Sequence, residues 1–278
     1  MTQSNIETKS NSQPPAKSNS QVWYRPTFSP EHGIYVMLFV SFVTGAALAQ
    51  AWNFSTTLAL ICAFFGFQAE HPLVLQLKQR RSLKPRFLVW GSLYAAISVA
   101  IAFWLYLSYS VLLWLYVGAI AALAIDTISV FRRKQKSIIN ELITFAAVCL
   151  SAPLAYAATM GTISATAMGL WILNTLYFSN TIFTVKLRKP KTSSLVPGII
   201  YQAIAIGTVA TLYWLNYLPL IAALAWGIAL LKFALVAWQK QWYSTIKIQY
   251  VAMLESVTAF SFLLIVALSV LPAHLTTI

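Results

Sequence analysis

Residues 32–69 read HGIYVMLFVSFVTGAALAQAWNFSTTLALICAFFGFQA, 38 consecutive residues without one Asp, Glu, Lys or Arg. A helix needs about 20 apolar residues to cross the hydrocarbon of a bilayer. The stretch is close to two crossings long, and Ala51-Trp52-Asn53 places turn chemistry near its middle. It therefore predicts two antiparallel membrane helices, helical because lipid offers backbone amides no partner.

Working outward, three more uncharged stretches have the same form: 87–125, 142–185 and 192–231, of 39, 44 and 40 residues. Ser108-Tyr109-Ser110, Met160-Gly161-Thr162 and Asn216-Tyr217-Leu218-Pro219 mark their turns. A fifth stretch, 248–278, holds one Glu and suits a single crossing. The expected architecture is an all-α polytopic bundle of about nine transmembrane helices, near 33–50, 54–69, 87–107, 110–130, 139–160, 164–186, 194–214, 218–238 and 248–271. Pro72, Leu73, Leu75 and Leu77 with Lys78, Arg80 and Arg81 suit either a short interfacial helix over 72–82 or a solvated loop.

Charge tests the count. With nine crossings all 19 Lys and Arg fall on one face: the N-terminal tail, the segments after the second, fourth and sixth helices, and the eighth helix with its following loop. A wrong parity anywhere would scatter them. The positive-inside rule puts that face and the N-terminus in the cytoplasm and the C-terminus outside. Only 9% of the 278 residues are charged and 59% are hydrophobic, whereas soluble domains carry about 25% charged residues. The net charge of +13 thus reads as orientation and attraction to anionic headgroups, not nucleic-acid binding. Cys62 and Cys149 stand alone inside apolar runs, as small buried residues. Residues 1–25 read as a disordered cytoplasmic tail without the apolar run of a signal peptide, and 26–278 as one transmembrane domain.

The six acids carry the site reading. Glu7 is in the tail; Glu31, Glu70, Asp126 and Glu141 fall at cytoplasmic helix ends. Glu255 lies about 12 Å deep in the last helix, where an acid is expensive and often functional. Lys232 is at similar depth in the eighth helix, and the two are expected to pair; the alternative is a snorkelling Lys232 and a protonated Glu255. Asn174, Tyr177, Thr181 and Thr184, extended by Arg188, form one polar helix face. Interhelical hydrogen bonding explains such a stripe, and a pocket role is expected for Asn174. Glu31-His32 and Glu70-His71 are candidates for acid–base work on the cytoplasmic side, with polar capping as the alternative. Their spacing matches no metal motif, and no metal is assigned. Asp126 and Glu141 flank the basic run Arg132–Lys136; they offset its charge or line a cavity whose basic rim, Arg86 included, holds an anionic headgroup or diphosphate.

Pro30-Glu31-His32-Gly33, followed by Met37 and Gly45, resembles the opening of the YwiC-like family of bacterial membrane proteins, and length and helix pattern are similar after residue 25. The resemblance implies a bacterial membrane, plasma or internal, and points to Glu31 and His32; it supplies no activity or cofactor. Nine helices with a cytoplasmic polar face also look like the UbiA-type intramembrane prenyltransferases. Those enzymes hold Mg²⁺ and an isoprenoid diphosphate with Asp-rich motifs. At the corresponding Gln68–His71 and Asn174–Asn180, Glu70 is the only acid, so a transferase here would use altered chemistry. The expected function is binding or modifying a membrane lipid, isoprenoid or quinone in a cytoplasm-facing cavity. Its lining would be Glu31, His32, Glu70, His71, Arg86, Asp126, Glu141 and Asn174, with Tyr177 and Glu255 as further candidates. The alternatives are a transporter of a small solute, for which Pro153 and Gly198 would break helices, and a non-catalytic assembly subunit.

Overall fold

The computed structural model describes residues 25–79, 82–189 and 192–271. The expected tail, Arg80, Arg81 and Lys191 fall outside these residues, Arg25 excepted. The described chain is all-helical: α1 His32–Ala49, α2 Phe54–Lys78, α3 Pro85–Ser108, α4 Leu112–Phe131, α5 Ile138–Cys149, α6 Ser151–Met160, α7 Ala165–Lys186, α8 Val196–Trp214, α9 Leu220–Leu224, α10 Trp226–Trp238, α11 Lys240–Thr245 and α12 Ile248–Ser269.

Eight segments are long and apolar enough to cross a membrane, with α5–α6 and α9–α10 each acting as one interrupted span. The ninth expected crossing, α7, has 22 residues and the length of the others but is too polar to count with them. Its position explains why. It packs against α1, α5, α6, α8 and α10, and Asn174, Ser179, Asn180 and Thr184 are buried. A helix encased in protein meets side chains instead of lipid, so it tolerates polar residues that a peripheral helix does not. The chain is a multi-pass helical membrane protein.

Two ends are distinct. At one, Asn53 caps α2: its side chain accepts from Thr56 N at 2.9 Å, and the Thr56 hydroxyl accepts from Asn53 N at 3.2 Å. The same end joins Asn53 Nδ2 to Thr159 O and Gln50 Nε2 to Val270 O. The opposite end gathers the cations. Arg86 there donates to the carbonyls of Arg25 and Pro26, and Arg188 to those of Tyr243 and Ile246. The cap predicts that Asn53→Ala lowers stability by about 1 kcal/mol and loosens the α2–α6 tie, read as a lower apparent Tm in detergent.

Three boundaries differ from the sequence expectation. Helix α2 runs on through Pro72 to Lys78, so no separate helix begins at 72. Pro72 forfeits one backbone hydrogen bond but is buried, where α3 approaches closely at Gly91. The fifth span breaks at Leu150, one turn before Pro153, whose ring lacks a donor and crowds the Cys149 carbonyl. The eighth span breaks at Ala225 without a proline after it, whereas Gly198 sits in the first turn of an unbroken α8. Helix α11, absent from the sequence expectation, carries the exposed Trp242.

Candidate functional site

A cavity of about 460 Å³ opens at the basic end between α1, α2, α4, α5 and α7. Five expected residues meet in it: Glu31, Glu70, His71, Asp126 and Glu141. They come from the start of α1, the last third of α2, the C-terminal end of α4 and the first turn of α5. Apolar side chains complete the wall, among them Ile34, Phe67, Val74, Phe145 and Ile182. The carboxylates differ in their partners. Glu141 pairs with Lys186 at 2.5 Å. Asp126, buried, accepts one bond from Asn140 Nδ2 at 2.7 Å. Among the described residues no Lys or Arg nitrogen lies within 4.0 Å of Glu31, Glu70 or Asp126.

Five expected residues lie elsewhere. His32 is exposed and does not line the cavity. Arg86 is spent on the Arg25 and Pro26 carbonyls, at 2.8 and 3.1 Å, and pins the segment ahead of α1. Asn174 does not reach the cavity: its Nδ2 donates to Thr44 Oγ1 at 3.0 Å and Leu170 O at 2.8 Å, joining α7 to α1. Twelve residues separate it from the end of α7, roughly 18 Å at the helical rise. Tyr177 is a core residue, its ring stacked on Phe262 with centroids 4.0 Å apart.

Glu255 does not line the cavity but forms the expected pair. Lys232 Nζ lies 2.7 Å from Glu255 Oε2, and the Tyr177 ring centroid is 5.3 Å from that nitrogen. Thr181 donates to Glu255 at 2.7 Å and Thr184 to its other oxygen at 3.4 Å. The polar stripe of α7 is thus mainly a hydrogen-bonding face. Asn180, off the stripe, is also bonded, to Ala229 O and Gln202 Nε2. Thr181 touches both sites, since it also lines the cavity.

Several cavity residues carried no individual sequence signal. Lys186 and Lys189 read only as orienting charges, and Asn140 was masked by its neighbour Glu141, although a polar side chain in the first turn of an apolar helix was a usable cue. Beside the cavity, a groove of about 800 Å³ between the α2–α3 and α4–α5 connections is lined by Lys78, Lys84, Arg133 and Lys136. Arg133 holds φ at 57°, a left-handed conformation uncommon outside glycine. Among the described residues no three His, Cys, Asp or Glu side chains gather as a metal site.

No curated protein and no solved structure matches the chain. A family model does. Residues 28–156, from the segment ahead of α1 into α6 and including all four acids of the cavity, match the model of the YwiC-like protein family, to which the chain is similar over that stretch.

Proposed function

We propose that the chain binds a membrane lipid, or an isoprenoid or quinone, at its cytoplasmic end, in a bacterial plasma or internal membrane. The observation that carries this reading is the mixed wall of the cavity. Carboxylates and lysines share one space with Phe67, Val74, Phe145 and Ile182. A small polar solute would leave the apolar wall wet, and a plain hydrocarbon would leave the charges unmatched. An amphiphile suits both, because burying a charge without a partner is costly. Proton transfer to or from the bound molecule would fall to Glu70 and His71, which both line the cavity.

Mass spectrometry of small molecules co-purifying with the full chain tests the reading. Wild type should carry one lipid class enriched over bulk membrane, and Glu70→Ala/His71→Ala should lose the enrichment while keeping its elution volume. Identical bulk profiles from both proteins would count against it.

A second reading, a small-solute transporter, draws on the two interrupted spans and the intramembrane Lys232–Glu255 pair, features that transporters use at their sites. It predicts solute uptake by reconstituted vesicles that Glu255→Gln abolishes.

A further inference from the structure

The groove is lined by cations and no acid, whereas the adjoining cavity sets Glu31, Glu70, Asp126 and Glu141 beside Lys78, Lys136, Lys186 and Lys189. The groove presents four cations, and none of Lys78, Lys84, Arg133 or Lys136 is ion-paired among the described residues. The inner cavity presents acceptors. The Glu31, Glu70 and Asp126 carboxylates line one space, and none of the three has a Lys or Arg partner among the described residues.

Asn140 supplies an independent observation. It is 95% buried by its 5% exposure, lines the cavity, and its Oδ1 has no hydrogen-bond partner. The amide orientation is set by Asp126: a carboxylate there requires a donor, so Nδ2 faces it and Oδ1 is left over. A buried acceptor without a donor costs stability. Glu31, Glu70, Asp126 and Asn140 Oδ1 are therefore matched by no lysine of the wall and suit a ligand group that is positively charged and carries N–H donors. The two spaces are continuous in their lining, since Lys78, Gln135 and Lys136 border both.

We propose that the ligand is a zwitterionic aminophospholipid headgroup, its primary ammonium held by Glu70, Asp126 and Asn140 Oδ1 and its phosphate by Lys78 and Lys136. This rests on the lipid-binding reading and deepens it by naming the headgroup. A phosphate meets the lysines at the shared rim, and an ammonium two carbons further along the headgroup reaches inward to the acids. An anionic lipid without an amine satisfies only the rim. A quaternary ammonium brings the charge but no N–H for Asn140. Charge-assisted hydrogen bonds of this kind separate ligands by roughly ten-fold or more in affinity.

The test is native mass spectrometry of the full chain in detergent, offered equal amounts of phosphatidylethanolamine and phosphatidylglycerol of matched acyl chains, and separately an isoprenyl diphosphate. Phosphatidylethanolamine should be retained about ten-fold over phosphatidylglycerol, and Glu70→Gln/Asp126→Asn should bring that ratio towards one. Should this pair of substitutions fail to fold, Lys136→Gln serves: it should weaken retention of phosphatidylethanolamine, and unchanged retention would overturn the proposal. Equal or stronger retention of phosphatidylglycerol or the isoprenyl diphosphate would overturn the headgroup assignment and leave lipid binding standing. Retention of none of the three would remove the lipid reading itself. Soluble phosphoethanolamine should displace the lipid; displacement by ethanolamine alone at the same concentration would assign the cavity to a free amine and overturn the proposal.

Discussion

Glu255→Gln should be the most damaging single substitution inside the bundle, lowering stability by about 3 kcal/mol. The reason lies in what remains behind. The Lys232 side chain is fully enclosed, so it cannot reach the headgroups. With Glu255 neutral it keeps one hydroxyl, Thr181 at 3.3 Å, and the Tyr177 ring. An enclosed ammonium without a counter-charge is costly. Lys232→Met should cost less. Glu255 is partly accessible and still accepts from Thr181 and Thr184. Lys232→Met/Glu255→Gln should recover most of the loss, because removing both charges removes the uncompensated one. Apparent Tm of the four proteins in one detergent checks this as a double-mutant cycle. Additive losses would mean the two charges do not act as a pair.

Gly45→Ala should be nearly as damaging, by roughly 3 kcal/mol. A Cβ at Gly45 would run into the backbone of Ala152, namely its carbonyl oxygen, carbonyl carbon and Cα. Nothing there can rotate away, so α1 and α6 must separate. Close approach of two helices through a small residue is a main source of packing energy where no water drives association. At about 2–4 °C per kcal/mol for a chain of this size, the apparent Tm should fall by roughly 6–12 °C. Gly207→Ala is the control: nothing lies within 4 Å of its added Cβ, so Tm should hold or rise slightly with the better helix former. A Gly45→Ala protein as stable as wild type would mean that α1 and α6 are not packed at this distance.

The legible part of the site was the part that obeys a depth rule. Glu31, Glu70, Asp126 and Glu141 were each placed at the cytoplasmic end by counting along an apolar run, and the cavity does contain all four. Lys232 and Glu255 were paired because each lies a few turns from the same face. Azimuth was not legible. Depth places Asn174 too far from the cytoplasmic end, yet its polar character suggested a pocket; its actual neighbour, Thr44, is 130 positions away in the chain. Arg86 has the right depth for the cavity and faces the segment ahead of α1 instead. His32 has the right depth and the wrong face.

Hydrophobic run length determined the helical class and located the eight apolar spans, and the sidedness of 19 cations set the expected orientation. Those properties follow from transfer between water and lipid, which acts on each segment separately and so is written in local composition. The tertiary structure decided which helix is central, which acids share a cavity and which are already neutralised. It also left Asn140 Oδ1 without a donor. These depend on the rotation and distance of helices relative to one another. In a bilayer those are set by van der Waals fit and interhelical hydrogen bonds between residues far apart in the chain, as between Gly45 and Ala152 or Thr181 and Glu255. No local pattern records such pairs.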